Sequence, residues 1–246
     1  ADEAACRDLN SAFITWAITG RPEVTLKLAT SLDGKIATST GESQWITGPE
    51  ARRRVHHMRA ESDAVAVGVG TALADDPRLT ARDVDGEVRQ PARVVFDSRA
   101  RMSPASGLAR TARDIPVIVI ASTEAPQDSI GALEAVGVEV LRVDGDESER
   151  VRRGLALLGA KDIQSVLVEG GAGIAAAMLH ADAVDRIVWM FAPMLIGGVD
   201  APSALGDPGV RALAEAPRVS GVEIESVDGD VVISGRLRPL VAIGEE

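Results

Sequence analysis

Residues 24–82, VTLKLATSLDGKIATSTGESQWITGPEARRRVHHMRAESDAVAVGVGTALADDPRLTAR, decide how the chain is read. The opening residues alternate, so Val24, Leu26 and Leu28 share one face of a strand and Thr25, Lys27 and Ala29 the other. An unpartnered ammonium inside an apolar strand is costly. Lys27 therefore either reaches out at an edge or lines a site where an anionic or reacting group meets it, and the residues downstream of β-like Val24–Thr30 favour the site. Asp33-Gly34 marks a turn, and residues 39–43 form a soft polar run that leads to an isolated Trp45, the composition of a binding loop. Gly48-Pro49 opens an amphipathic helix with Ala51, Val55, Met58 and Arg59 along one side. Residues 64–69 read as a buried strand running into Gly68-Val69-Gly70-Thr71, small residues that let a ligand approach the backbone.

Working outward, RVVFD (93–97) and PVIVIA (116–121) read as buried strands joined by a polar connection, 138–141 as a further strand and 150–158 as a helix. SVLVE (165–169) runs directly into Gly170-Gly171-Ala172-Gly173 and an alanine-rich helix ending near His180, which suits a helix C-terminus. Glycines before a helix N-terminus present free N–H groups and partial positive charge to a pyrophosphate. Gly171, Gly173 and Ala176 match G-x-G-x-x-A, a weak signal alone. No acid closes the following strand, which disfavours an ordinary dinucleotide-binding Rossmann domain. Glu169 is the second charge embedded in apolar sequence, and pairing it with Lys27 across a sheet would relieve both burial costs. IVWMF (187–191) is a strand, and 222–226 and 231–234 flank Gly229-Asp230 as a C-terminal β-hairpin. At the other end, Leu9, Phe13 and Trp16 mark one helix over 4–19, stopped by Gly20-Arg21-Pro22.

The 246 residues carry no Pro/Ser-rich linker, so one α/β domain is the simplest organisation. With 2% aromatic residues and no tyrosine, the core must be built from Ala, Val, Leu and Ile, and aromatic stacking platforms for single-stranded nucleic acid are largely excluded. A net charge of −11 disfavours nucleic acid and acidic membranes and obliges any phosphate to be met by clustered arginines or helix N-termini. Cys6, the single cysteine, excludes an internal disulfide or a thiolate metal cage, and no metal is expected. No signal peptide or membrane-length apolar run is seen, so a cytoplasmic protein is expected.

The runs TLKLATSLDGKIAT, GESQWIT, GVGTALADDPRLTAR, VEGG and FAPMLIGG occur in one order and together resemble the reductase half of the bifunctional riboflavin-biosynthesis deaminase/reductase family, of the dihydrofolate-reductase-like class. The resemblance implies an α/β fold with a central, mostly parallel sheet, helices on both faces and the C-terminal hairpin. It implies a docking helix at 1–22, a reductase domain at 23–240 and a tail at 241–246. The zinc deaminase signature of the family's other half has no counterpart here, since Cys6, His56, His57 and His180 lack its motif. The chain is thus expected to be a reductase by itself, excised or never fused.

The resemblance further implies NADPH-dependent reduction of the ribosyl group of 5-amino-6-(5-phosphoribosylamino)uracil to ribityl, in a homodimer. Lys27 and Glu169 are the expected catalytic pair. Ala29, Trp45, Thr71, Asp75, Ser98 and Gly170, Gly171, Ala172, Gly173 and Ile174 are expected on the cofactor; Ser43, Arg59, Leu79, Arg82 and Glu169 on the substrate. Arg99, beside Ser98, is added as a reader of the adenosine 2′-phosphate. Alternatives are a same-fold reductase of 2,5-diamino-6-ribosylamino-pyrimidinone 5′-phosphate or of a pterin, and a noncatalytic ligand-binding module.

Overall fold

A computed structural model describes residues 3–241; the last five residues of the expected tail lie outside the described residues. Two short helices, α1 (Glu3–Leu9) and α2 (Ser11–Thr19), lead into β1 (Glu23–Ser31). The chain then runs through α3 (Pro49–Glu61), β2 (Ala64–Gly68), α4 (Val69–Asp75), β3 (Ala92–Phe96), α5 (Gly107–Arg110), β4 (Val117–Ser122), α6 (Gln127–Ala135) and β5 (Glu139–Val143). It continues with α7 (Glu147–Gly159), β6 (Ser165–Glu169), α8 (Ala172–His180), β7 (Arg186–Ala192), β8 (Ser220–Val227) and β9 (Asp230–Arg236). The strands form one nine-stranded sheet in the order β5-β4-β3-β2-β6-β1-β7-β9-β8. Every pairing from β5 to β7 is parallel, and β9 runs against both β7 and β8. This is the mostly parallel sheet with a C-terminal hairpin that the sequence predicts.

Side-chain alternation along the strands builds a core on each face. Ala64 and Ala66 of β2 join Val94, Leu155 and Met178 under α7 and α8. Val65 and Val67 join Val95, Val119, Leu108, Ile130 and Leu133 under α5 and α6. α3 covers β1, β7 and β9 through Ala51, Val55, Val188, Met190 and Val232. Burying each large aliphatic side chain stabilises by about 1.5–3 kcal/mol, so aliphatic residues carry a core that has few aromatics. α7 is fixed at its start by a capping box between Asp146 and Glu149.

The N-terminal segment departs from expectation. It is two helices broken at Asn10, and of the predicted apolar trio only Trp16 docks, donating from Nε1 to the Gly159 carbonyl at 2.8 Å. Leu9 and Phe13 are exposed. The inward face of α2 buries Ile14 and Thr15 and adds a polar contact, Ser11 Oγ donating to the buried Glu23 at 2.9 Å while Glu23 also pairs with Arg236. Gly20, in the left-handed region at φ 71°, ends α2 as its sequence predicts.

Candidate active site

In a parallel sheet, ligands collect at the carboxyl ends of the strands, and here three elements converge on that edge. β1 and β6 are neighbours in register, with Lys27 opposite Glu169, so both side chains emerge on the same face. The expected partnership between them is different in detail. Glu169 is held by Arg59 of α3, whose Nε and Nη2 donate to the two carboxylate oxygens at 2.5 and 2.9 Å. Both side chains are largely buried, at 14% and 10% exposure. A bidentate guanidinium fork outcompetes an ammonium for a carboxylate in this geometry. Among the described residues, Lys27 Nζ has no hydrogen-bond or ion-pair partner; Glu169 acts on it only through its field.

This arrangement sets the charge states. Burial pushes the Lys27 ammonium below the ordinary lysine value, the negative charge of Glu169 opposes this, and the Arg59 charge adds to it. Burial pushes the Glu169 carboxyl up, but the Arg59 hydrogen bonds and the nearby Lys27 charge prevail and hold it below the usual carboxylate range. Glu169 is thus a carboxylate with spare lone pairs, and Lys27 a poised cation with nothing of the protein to bind.

Arg59 also ties down the next segment. Its Nη1 donates to the Thr80 carbonyl at 3.0 Å, and one helical turn earlier His56 accepts from the Arg82 N–H through Nδ1 at 3.2 Å. Burial, then the charges of Arg59 and Arg82, lower the His56 pKa, which keeps the ring neutral and able to accept. Sequence reasoning does not single out His56, although its i, i+3 spacing from Arg59 puts both on one helix face. The Arg82 side chain itself is exposed, and Leu79 is packed in the core, so that only Leu79's backbone can face a ligand.

The glycine turn lies at the end of β6. Gly170 and Gly171 have φ of 64° and 85°, and a side chain on Gly171 would run into Thr71 Oγ1 at 2.7 Å. Only glycine suits that position. Gly173, by contrast, opens onto free space, so the first-turn N–H groups of Ala172, Gly173 and Ile174 remain approachable. Ile174's side chain is buried against Gly68 at the end of β2. This open cradle, with Thr71 beside it, fits a diphosphate. A cleft of ≈ 280 Å³ continues from it past Gly68, Gly70, Phe96 and Ser98.

Other expected residues are more peripheral. Trp45 is 66% exposed on its loop, with the Arg52 guanidinium 4.7 Å from its ring centre. Ser43 is half-buried on the same loop, Ala29 lies on the α3 side of β1, and Asp75 ends α4. The loop's exit is pinned by the Gly48 N–H donating to the buried Asp230 at 2.7 Å. Arg99 is exposed beside Ser98 and is not among the residues lining the cleft, which include Arg101 and Arg150. Among the described residues no cluster of three His, Cys, Asp or Glu side chains could hold a metal ion, and no helix is long and apolar enough to cross a membrane.

Comparison with known proteins identifies the family. The RibD C-terminal domain family matches residues 22–233. RibD of Aquifex aeolicus is 37% identical over 94% of this chain and 62% of its own length. The 2,5-diamino-6-ribosylamino-4(3H)-pyrimidinone 5′-phosphate reductase of Methanothermobacter thermautotrophicus is also 37% identical, over 87% of this chain and 97% of its own. Among solved structures, Acinetobacter baumannii RibD superposes with a TM-score of 0.81 at 31% identity, covering 95% of this chain and 63% of that one. The chain spans about three-fifths of the length of the RibD relatives it matches. The α/β sheet, the order of its elements and these relatives lead to one conclusion: the chain belongs to the RibD C-terminal domain family.

Proposed function

We propose that this chain is an NADPH-dependent oxidoreductase of riboflavin biosynthesis that reduces the ribosyl group of 5-amino-6-(5-phosphoribosylamino)uracil to ribityl. The observation that carries the reading is the half-buried Lys27, whose ammonium has no protein partner among the described residues, beside the Arg59–Glu169 pair and next to an open glycine cradle. A fold that only needed stability would replace such a lysine with an apolar residue.

When bound, the nicotinamide supplies the hydride. The first turn of α8 holds its diphosphate through the free N–H groups of Ala172, Gly173 and Ile174, with Thr71, Asp75 and Ser98 placing the rest. Lys27 donates to the sugar oxygen at the carbon to be reduced, assists ring opening and delivers a proton there. Glu169, already oriented by Arg59, accepts from a substrate hydroxyl and keeps the ammonium charged. Arg82, exposed and free of acidic partners among the described residues, takes the 5′-phosphate. Ser43 and Trp45 close the site from the loop, Trp45 between nicotinamide and substrate.

A second substrate has specific support, because the relative whose length this chain nearly matches is named for the diamino pyrimidinone. Incubating each pyrimidine with NADPH and following cofactor oxidation separates the two. Turnover of the uracil alone supports the first reading, turnover of the diamino compound alone the second, and turnover of neither overturns both.

The proposed homodimer finds a surface in β8. β7 is paired on both edges, whereas β8 ends the sheet on its antiparallel side and exposes Val222 and Ile224.

A further inference from the structure

Residues 76–91, which carry Arg82, contain neither helix nor strand. Their backbone is costly to hold, since Asp76, Leu79 and Asp83 sit in the left-handed region at φ 40°, 53° and 56° without being glycine. Such a conformation persists only where its surroundings over-determine it. We propose that Gln90 supplies that constraint as a positioning residue, fixing Ala81 and so setting where Arg82 presents its guanidinium to a substrate phosphate; the inference rests on Arg82 being the phosphate contact of the proposed reaction.

Gln90 Oε1 accepts from the Ala81 N–H, and Gln90 Nε2 donates to the Ala81 carbonyl, both at 2.9 Å. One side chain thus satisfies both backbone groups of one residue. Those two groups belong to different peptide planes, the N–H to the unit joining Thr80 to Ala81 and the carbonyl to the unit joining Ala81 to Arg82. The opposite edges of the same two planes are held from α3. The Thr80 carbonyl accepts from Arg59 Nη1 at 3.0 Å, and the Arg82 N–H donates to His56 Nδ1 at 3.2 Å. Each peptide plane beside Ala81 is therefore gripped on both edges, by Gln90 on one and by an α3 side chain on the other.

Gln90 is itself anchored. It precedes Pro91, whose ring confines the Gln90 backbone to extended conformations, and β3 begins at Ala92. The clamp thus ties the segment to the sheet on one side and to α3 on the other, while Leu79 and Ala81 are buried beneath it. An ordinary surface loop satisfies its peptide groups with water and needs no such hold. What the hold fixes at the surface is Arg82, whose side chain is exposed. A guanidinium placed before the ligand arrives loses less conformational freedom on binding, and a planar fork set at the right angle can meet a phosphate with two hydrogen bonds.

The test compares steady-state NADPH oxidation with the phosphorylated substrate and with its dephosphorylated form, for the whole chain and for Gln90→Met, Arg82→Ala and the double variant. Methionine keeps the length and volume of glutamine and removes both hydrogen bonds. The unaltered chain is expected to prefer the phosphorylated substrate by at least ~10-fold in kcat/KM, and Gln90→Met to raise KM for that substrate alone by ~10-fold with kcat unchanged. In the Arg82→Ala background the Gln90 change should cost nothing further, because it acts through that arginine. Loss of the preference in Arg82→Ala but not in Gln90→Met overturns the clamp and leaves the phosphate contact standing. So does an equal loss for both substrates in Gln90→Met, or a full additional loss in the double variant. An unaltered chain without the preference overturns the phosphate contact and the clamp together, and one that turns over neither substrate overturns the proposed reaction as well. Matching thermal unfolding midpoints show that the variants are folded.

Discussion

Glu169 and Arg59 form a largely buried ion pair whose value is positional. Removing one member of such a pair strands the other in low dielectric and typically costs about 3–5 kcal/mol. Glu169→Ala should therefore lose stability of that order in urea unfolding, and Glu169→Gln less, because the amide still offers an acceptor. The pH dependence has a definite sign. The folded carboxyl lies below its ordinary value, so the pair contributes fully above the unfolded value near 4.5 and the contribution is lost as pH falls through the lowered folded one. An acid limb of stability that is unchanged in Glu169→Ala would contradict this assignment. In sequence the two embedded charges, Lys27 and Glu169, are legible because a charge in an apolar run is expensive. The true partner of Glu169 is not: the spacing puts Arg59 on the apolar side of α3, but sequence does not show that this side lies against the end of β6.

α3 acts as a strap across the site. Its inner face packs on β1, β7 and β9 through Ala51 and Val55, and from that fixed platform Arg59 reaches Glu169 and Thr80 while His56 holds the Arg82 backbone. His56→Ala should raise the substrate KM several-fold, about 1 kcal/mol for one lost hydrogen bond, with kcat and cofactor binding unchanged. A uniform loss of stability with no shift in KM would reduce His56 to a packing residue. Elements with strong periodicity or continuous apolar runs are readable, as β1, α3, β2, β6 and the β8–β9 hairpin show. Short ones are not. α5 is a single turn capped by Ser106, and α4 begins at once after β2; neither is long enough to display a helical period. The break between α1 and α2 escapes because the apolar spacing runs through Asn10.

At the scale of the whole molecule, the sheet has one free edge in its antiparallel part, β8, where apolar Val222 and Ile224 alternate with Glu223 and Glu225. Exposed Val222 and Ile224 on β8 invite pairing with a second copy. Ile224→Lys should convert a dimer into a monomer in sedimentation velocity with little change in thermal stability, and a monomeric parent chain would remove the proposal. The fold class is legible because strands and helices alternate along the chain and the sequence closes on a hairpin. The strand order is not, since β1 lies between β6 and β7, pairings made over long sequence separation. That crossover places Lys27 against Glu169.

Catalysis as proposed requires the Lys27 ammonium to meet the substrate, and Lys27→Met tests this most directly, since methionine keeps the length and fits the apolar strand. Steady-state NADPH oxidation and cofactor binding should be measured across pH for both chains. The expected result is a fall in kcat of about 10²-fold or more with cofactor affinity unchanged. The alkaline limb of the parent chain, set below the ordinary lysine value of 10.5 by burial, should also disappear from the variant. Undiminished turnover in Lys27→Met, with the alkaline limb intact, would contradict a catalytic lysine.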